Sequence, residues 1–317
     1  DYYLLKWHPS REIVLQSRRQ PYDKYKPKGI VYRVIPEDLT AIVEFEVGNI
    51  DVLGIPASAF SHLVSKKDKN IITVRSLNTY YLGMNTQRYP FNNKNIRKAV
   101  AHAIDREKIL NTFMQKRGRL ADCIVPEELR QWRCSSDIRY DPNEARRMLN
   151  LSGIDSITVT MFVTPEQDVI DLAEIIQYYL DGVGIKVRIK QIEWTAFKEA
   201  VIKGDADLFW LSWWVDYPHP ENFLYPLFHS RNIGYGGNKT RFVDREIDDL
   251  LDISRLYIKN HDVIKAFKTI EDKIMSELPM IPFWHKTDYI LVQPWVKGVK
   301  GYPIYNMDRA DSILLLR

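Results

Sequence analysis

The sequence has neither a long apolar run nor a strong excess of either charge. In its 317 residues, no window approaches the roughly 18–20 consecutive apolar side chains of a membrane-spanning helix. The 45 Lys and Arg residues nearly balance the 41 Asp and Glu residues, and the basic side chains are dispersed. Because nucleic-acid-binding proteins concentrate positive charge on one face or in one run, we expect no nucleic-acid partner.

Cysteine is scarce, with two residues, Cys123 and Cys134. They have no Cys-x-x-Cys spacing and no neighbouring histidine pair, so we expect no zinc site and no other metal site. Both fall in one predicted loop, and two outcomes stay open: a local disulfide in an oxidising compartment, or two thiols in a reducing one. A disulfide requires Cα atoms within about 7 Å, and we expect this pair to meet that limit.

Signatures of cofactor binding and catalysis are also missing. The glycine-containing segment 234–238 lacks the Gly-x-Gly-x-x-Gly order, and the Lys239-Thr240 pair after it follows Asn238 and not the glycine that precedes Lys in a phosphate-binding loop. The sequence contains no Ser-His-Asp spacing and no cluster of metal-ligating residue types. We therefore expect neither a cofactor nor a catalytic residue.

The sequence does contain an aromatic-rich stretch around a lone acid. Residues 208–214 are apolar almost throughout, which predicts a short strand covered on both faces. Asp216 follows, and then two spaced prolines that make the chain leave the sheet. Flanking the acid, Trp213, Trp214 and Tyr217 would form the apolar wall of a small-molecule pocket with one orienting charge. The alternative is that the aromatics belong to a core and Asp216 only starts a turn.

The order of the predicted elements indicates an α/β protein. Residues 157–214 show the strand–helix–strand–helix–strand pattern of an open sheet, with Thr195 predicted to cap the second helix and Gly204 to end it. Ligands of such sheets collect at the carboxyl ends of strands, where Asp216 falls. More β-rich segments flank this run on both sides.

This pattern predicts two lobes. We expect residues 78–285 to form one nearly complete α/β lobe, residues 1–77 to form part of a first lobe, and residues 286–317 to return to that first lobe.

Several segments, taken in order, resemble the bacterial extracellular solute-binding proteins of the peptide and nickel type, which supply ABC importers. The matching segments are Tyr-Leu-Gly-Met-Asn-Thr at 81–86, Ile-Arg-Lys-Ala-Val at 96–100, Ala-Ile-Asp-Arg at 103–106, Tyr-Asp-Pro-Asn-Glu-Ala at 140–145 and Trp-Trp-Val-Asp-Tyr-Pro-His-Pro-Glu-Asn-Phe at 213–223. The resemblance covers essentially the whole chain. It implies a two-lobed periplasmic-binding-protein-like fold with one lobe nearly complete and the other partial, the chain starting partway through the first lobe.

The resemblance implies a binding protein and not an enzyme. In the oligopeptide and dipeptide members, the acid matching Asp216 binds the ligand's α-ammonium group, and the Trp matching Trp213 lines the cavity. A desolvated carboxylate orients such a zwitterion through a charge-assisted hydrogen bond. By position, Tyr80, Tyr81 and Asn85 are further cavity candidates, although for Asn85 the preferred interpretation is a structural one, bonding backbone at the turn between strand and helix. No residue stands out for the ligand's carboxylate end.

On this basis we expect a monomer that binds an oligopeptide or dipeptide in an interlobe cleft and delivers it to the permease subunits of an ABC importer. Its location would be periplasmic or extracellular, with anchoring to the membrane through a leader or lipid outside this sequence. The same fold would also serve an oligosaccharide or a nickel chelate.

Two further function classes stay open at this point. A glycoside hydrolase would need two carboxylates roughly 5–9.5 Å apart, and acids do surround the aromatics. They are Asp205, Asp207, Asp216 and Glu221. Against this, the first two precede the strand at the end opposite Asp216, and no feature makes Glu221 converge with Asp216. A protein-binding domain would instead expose an apolar face.

Overall fold

The computed structural model describes residues 2–18, 24–64, 70–134, 136–154, 156–256, 260–304 and 312–316. The chain forms two compact units, residues 1–76 together with 287–317, and residues 77–286. The assignment of 1–77, 78–285 and 286–317 to the lobes of a binding protein stays a prediction.

The described elements alternate between strands and helices. In chain order they are β1 (Tyr2–His8), β2 (Glu12–Ser17), β3 (Gly29–Arg33), α1 (Asp38–Glu46), β4 (Val52–Gly54), a 3₁₀ turn (Ala57–Ala59), α2 (Phe60–Val64), β5 (Asn70–Arg75), β6 (Asn78–Met84), α3 (Lys94–Ala103), α4 (Arg106–Thr112), β7 (Gly118–Leu120), α5 (Pro142–Leu151), β8 (Ile157–Val163), α6 (Gln167–Asp181), β9 (Ile185–Gln191), α7 (Trp194–Lys203), β10 (Leu208–Trp214), α8 (Glu221–Phe228), a 3₁₀ turn (Ser230–Asn232), α9 (Arg245–Ser254), α10 (Asn260–Glu277), β11 (Met280–Val292), β12 (Val296–Lys297) and β13 (Leu314–Leu315).

The first unit contains an antiparallel three-stranded sheet, β1-β2-β3, and a second small sheet. In the second sheet, β4 and β5 pair antiparallel with residues 287–292 of β11. Helices α1 and α2 contribute Ile42, Phe45 and Leu63 to a buried cluster around Leu291. This cluster forms because strand and helix each present one apolar face, and burying both faces together removes them from water.

The second unit is built on a mixed six-stranded sheet in the order β7-β11-β6-β10-β8-β9, to which β11 contributes residues 280–286. Strands β10, β8 and β9 are parallel, whereas β6 is antiparallel to β10. The predicted strand–helix–strand–helix–strand run over 157–214 is therefore β8-α6-β9-α7-β10. Parallel strands cannot be joined by a tight turn, so each connection between them is a longer crossover, here a helix.

Side-chain caps fix several helix starts in the second unit. Asp105 Oδ1 accepts the backbone N–H of Lys108 at 2.9 Å, and Asp141 Oδ1 accepts those of Asn143 and Glu144 at 3.1 and 3.0 Å. Each cap satisfies a donor that has no partner within its own helix. The predicted cap at Thr195 is wrong, because α7 begins one residue earlier, at Trp194.

One expectation about the region of β10 needs correction, and one helix there was not predicted. The strand is not covered throughout: Leu208, Phe209 and Trp210 are buried, but the four residues after them are half-buried. Helix α8 follows a Pro-rich turn and contains Pro226, so sequence patterns did not indicate it. Gly204 does end α7 as predicted, with a left-handed φ of 82° that suits glycine.

Across the described part of the chain, none of the helices combines the length and the apolar character that crossing a membrane requires.

Candidate functional site

Asp216 lies two residues beyond the carboxyl end of β10 and is exposed. Its backbone N–H donates to Asn222 Oδ1 at 2.9 Å, which fixes the turn between β10 and α8. Among the residues that the structure describes, none forms a hydrogen bond or an ion pair with the Asp216 carboxylate. The backbone is thus held while the charged group stays available for a ligand.

Trp213 is anchored by the same asparagine. Its indole Nε1 donates to the backbone carbonyl of Asn222 at 2.7 Å. In an α-helix that carbonyl would accept the N–H of residue 226, but Pro226 has no N–H to donate. Trp213 supplies the missing donor. The indole N–H of Trp213 is therefore hydrogen-bonded to α8, and the faces of the ring remain for contact with a ligand.

Tyr217 is the third member of this group, and its hydroxyl is engaged. It donates a hydrogen bond to Glu221 Oε2, and the other oxygen of Glu221 lies 3.4 Å from Arg255 Nε. Burial, and after it the hydrogen bond to Glu221, raises the pKa of Tyr217 above its ordinary value. The guanidinium of Arg255 in turn lies 4.3 Å from the ring centre of Tyr225. Tyr217 is half-exposed, so its ring edge borders the turn that carries Asp216.

Trp214 and Tyr80 lie on the other face of the sheet from Trp213. The register pairs Trp214 with Asn78 and Ser212 with Tyr80, whereas Trp213 pairs with Thr79. Because side chains alternate along a strand, neighbouring tryptophans point to opposite faces. Tyr80 stacks on Trp284 at a centroid distance of 5.9 Å, and the ammonium of Lys286 lies 6.0 Å from the ring centre of Trp214.

Two of the sequence candidates are placed away from Asp216. Tyr81 is 2% exposed and packs edge-to-face on Phe209, and burial raises the pKa of its hydroxyl. Asn85 follows the far end of β6, where Met84 pairs with Leu208 at the start of β10. Its Nδ2 donates to Gly204 O at 2.8 Å, and its Oδ1 accepts the N–H of Gln87 at 3.2 Å. These bonds are structural, as the alternative interpretation of Asn85 anticipated.

Two of the other acids near the aromatics, Asp207 and Glu221, are engaged. Asp207 accepts the N–H of Thr160 at 2.9 Å and lies 3.1 Å from Arg88 Nε. Glu221 is buried and uses its two oxygens on Tyr217 and Arg255. Neither forms with Asp216 the open carboxylate pair that glycoside hydrolysis requires.

The two cysteines are paired as a disulfide, with Cα atoms 6.3 Å apart. The loop that they close is held on α10 by buried Glu271, which accepts the Val125 N–H and the Trp132 Nε1–H, each at 2.8 Å. Burial raises the pKa of Glu271 to about 7. Donor atoms of Cys123, Cys134 and Glu271 lie within 4.8 Å of one another. Sulfurs joined to each other are not thiolates, however, so this group is no zinc site while the disulfide stands.

A separate concave pocket of ≈ 580 Å³ lies between α4 and α6. Its lining consists of Lys108, Ile109, Thr112, Phe113, Asp171, Glu174, Ile175, Tyr178 and Tyr179. None of the residues around Asp216 lines it. We place the candidate site at Asp216, because an available charge beside aromatic rings orients a ligand, which a surface concavity alone does not.

Sequence reasoning missed Asn222 and Arg117. Asn222 is 3% exposed and accepts hydrogen bonds from Trp213 in β10 and from Asp216 in the turn after it. The feature of the sequence that could have indicated this role is the proline four residues after Asn222, which leaves the Asn222 carbonyl without a helical donor. Arg117 is half-buried beside Tyr80 and Asp168, and burial lowers the pKa of its guanidinium while those two groups raise it. Its proximity to Tyr80 arises from strand pairing and has no local signal.

Comparisons with known proteins agree with this architecture. The Heme-binding protein A of Haemophilus influenzae is 26% identical over 297 residues, which are 90% of this chain and 52% of that protein. The Oligopeptide-binding protein AppA of Bacillus subtilis is 25% identical over 96% of this chain and 60% of its own length. The Dipeptide-binding protein of Escherichia coli is 23% identical, with 90% and 56% covered. The chain thus spans little more than half the length of these relatives.

Solved structures show the same fold. The periplasmic binding protein DppA of Helicobacter pylori, in complex with the peptide STSA, superposes with a TM-score of 0.87 at 21% identity, over 100% of this chain and 62% of that one. A dipeptide-binding protein of a Pseudoalteromonas species, in complex with Met-Leu, gives 0.85 at 24% identity, over 99% and 64%. The predicted α/β, two-lobed periplasmic-binding-protein-like fold is confirmed, and the chain spans less than two thirds of the length of these two structures.

The family comparison is the most direct one. Residues 1–235 match the model of the bacterial extracellular solute-binding proteins, family 5, middle region. This match covers well over half of the chain, and its segments are those on which the resemblance rests. The chain therefore belongs to the family 5 bacterial extracellular solute-binding proteins.

Proposed function

We propose that this chain is the substrate-binding component of an ABC-type importer and that it binds peptides. The observation that carries the proposal is the Asp216 carboxylate, exposed and without a protein partner among the described residues, on a turn fixed by Asn222. A carboxylate held in this way is suited to bind the α-ammonium group of a peptide. The names of the relatives, two of them peptide-binding proteins, support the same substrate class.

Trp213 and Tyr217 complete the proposed ammonium site. The indole N–H of Trp213 is used by Asn222 and the hydroxyl of Tyr217 by Glu221, so both offer mainly ring surface. Aromatic surface next to one charge gives apolar contact without fixing the ligand's side chains. The proposed site therefore orients the peptide backbone and accepts varied sequences.

One relative's name indicates haem, and Asp216 distinguishes that ligand from a peptide. Haem carries propionate carboxylates and no ammonium group, so an unpaired carboxylate would repel it. Within the part of the chain that the structure describes, the hydrolase alternative finds no second available carboxylate beside Asp216, because Asp207 and Glu221 are engaged. Among these ligand classes, the geometry favours a peptide.

The remaining parts of the proposal concern location and partners. We propose that the protein works outside the cytoplasm, as the family description indicates, in the periplasm or anchored at the outer face of the membrane. It would act as a monomer and hand the peptide to the importer's permease subunits.

The test is calorimetric titration of the full-length protein with alanine peptides, their N-acetylated forms and haem. Binding of free peptides, with marked loss on N-acetylation, is the expected result. A protein that unfolds cooperatively but binds none of the peptides would contradict the proposed function.

A further inference from the structure

The sheet edge next to Asp216 is formed by one row of residues across four strands. Trp214, the last residue of β10, pairs with Asn78, the first residue of β6. Asn78 Oδ1 accepts the backbone N–H of Lys286 in β11 at 2.9 Å, and Lys286 pairs with Gly118, the first residue of β7. The row therefore runs from the end of β10, through β6 and β11, to the start of β7.

Asp216 and Arg117 lie just beyond the two ends of this row, on the same edge. Asp216 comes two residues after Trp214, where β10 leaves the sheet, and Arg117 comes one residue before Gly118, where β7 begins. Adjacent strands are about 4.8 Å apart, so three steps separate the two backbones by about 14 Å. One edge thus carries an anionic group at one end and a cationic group at the other.

The guanidinium of Arg117 can donate further hydrogen bonds to an acceptor. Its Nε donates to Met114 O at 3.2 Å, and within the described part of the chain no carboxylate lies at ion-pair distance from it. Asp168 and Tyr80 are near enough to favour its charged form. A guanidinium presents several N–H groups in a planar fork that matches a carboxylate, so Arg117 is suited to receive one.

We propose that Arg117 binds the carboxylate end of the same peptide whose ammonium end is bound by Asp216. This inference rests on the proposed function and deepens it. An extended peptide advances about 3.3–3.6 Å per residue, so about 14 Å corresponds to four residues. The long side chain of Arg117 shortens the distance that the peptide has to span, and the side chains at both ends can adopt several rotamers. We therefore expect peptides of about three to five residues to reach both Asp216 and Arg117. A dipeptide anchored at Asp216 does not reach Arg117.

Lys286 is the competing cation, because it lies in the row itself. It is one strand closer to Asp216 than Arg117 is, and its ammonium lies over Trp214. A carboxylate held by Lys286 would belong to a shorter peptide. Peptide length and the two variants therefore separate the alternatives.

The experiment measures the affinity of the full-length protein for di-, tri-, tetra-, penta- and hexa-alanine, each as free acid and as C-terminal amide. The variants are Arg117→Gln and Lys286→Met. Lys203→Gln serves as the matched control, since it removes a positive charge that pairs with Glu199 on the surface of α7. Loss of a hydrogen-bonded charge pair typically weakens binding about 10- to 150-fold.

For the unaltered protein we expect amidation to weaken tetra-alanine binding on that scale and to leave di-alanine binding nearly unchanged. In Arg117→Gln, acid and amide of tetra-alanine should bind equally, whereas N-acetylation should still abolish most of the affinity. Lys203→Gln should behave like the unaltered protein. Amide sensitivity that survives in Arg117→Gln but disappears in Lys286→Met would overturn the assignment, as would equal binding of acid and amide by the unaltered protein. In both outcomes peptides still bind, whereas absence of binding at every length would contradict the proposed function itself.

Discussion

Asn222 Oδ1 accepts the backbone N–H of Asp216 at 2.9 Å. The backbone carbonyl of the same asparagine accepts the indole N–H of Trp213. One buried residue of α8 therefore positions both the acid and the aromatic side chain of the candidate site. The site is built before any ligand arrives, which reduces the ordering cost of binding.

The Trp213 anchor can be tested by a rescue. Trp213→Phe leaves the Asn222 carbonyl without its donor and should lower the free energy of unfolding by about 1–3 kcal/mol. Adding Pro226→Ala supplies a backbone N–H at position 226 that can bond to this carbonyl within α8, so part of the loss should return. Chemical denaturation of the single and double variants measures both effects.

Trp214→Phe is the matched control for this rescue, because it makes the same truncation on the other face of the sheet. Pro226→Ala should change the stability of the unaltered protein and of Trp214→Phe by equal amounts, and that of Trp213→Phe by more. Equal increments in all three backgrounds would contradict the anchoring role.

The disulfide between Cys123 and Cys134 should stabilise the protein. The residues are 11 positions apart, and closing a loop of this size contributes about 3 kcal/mol in the chain-entropy view. The Cys123→Ser/Cys134→Ser double variant should therefore melt earlier than the oxidised protein and be insensitive to reductant. Two titratable thiols per chain in the oxidatively refolded, denatured protein would show that the bond does not form.

The pH dependence of stability should contain two opposing contributions from buried groups. Burial raises the pKa of Glu271 to about 7, so its contribution is fully present below its unfolded pKa and is lost as pH rises through about 7. Burial lowers the pKa of His285 to about 4, so its contribution is present above its unfolded pKa of about 6.5 and is lost as pH falls towards 4. Between about pH 4.5 and 6.5 the two slopes oppose each other.

Single variants should separate these slopes. In Glu271→Gln the His285 contribution remains, so stability should rise between pH 4.5 and 6.5 by about 1.4 kcal/mol per unit. In His285→Asn the Glu271 contribution remains, and stability should fall over the same interval and continue to fall to pH 7. Denaturant titrations at half-unit pH steps measure this. If the free energies of unfolding of the two variants changed with pH in the same way, the pH dependence assigned to Glu271 and to His285 would be contradicted.

The sequence predicted the position of Asp216 just after β10 but only part of its surroundings. Asp216 was predictable because an apolar strand followed by prolines defines where a chain leaves a sheet. Helix α8 was not, because Pro226 conflicts with helical patterns and the compensating donor, Trp213, comes from another element. Both Tyr80 and Tyr81 were candidates for the binding cavity, because a run of aromatic residues does not reveal which face of a strand is buried. The structure buries Tyr81 and leaves Tyr80 half-buried.

Arg117 illustrates a different limit. It is about one hundred residues from Asp216 in sequence, and three strand pairings bring both to one edge. All three of these pairings join residues that are far apart in the chain, and no local pattern specifies which strands become neighbours. The fold class was predictable from the order of elements, whereas the position of Arg117 on the same sheet edge as Asp216 required the sheet order.

The affinity of Asp216→Asn for tetra-alanine and for N-acetyl tetra-alanine, with thermal melts alongside, shows whether Asp216 binds the ammonium group of a peptide. The substitution keeps shape and some hydrogen bonding but removes the charge. We expect free-peptide binding to weaken by about 2–5 kcal/mol, roughly 30- to several-thousand-fold, with little change in melting temperature, since the carboxylate is exposed. Acetylation, which removes the ammonium, should weaken binding to the unaltered protein and not to the variant. Equal affinity of the unaltered protein for free and acetylated peptide, or a variant that melts earlier and binds normally, would contradict the account.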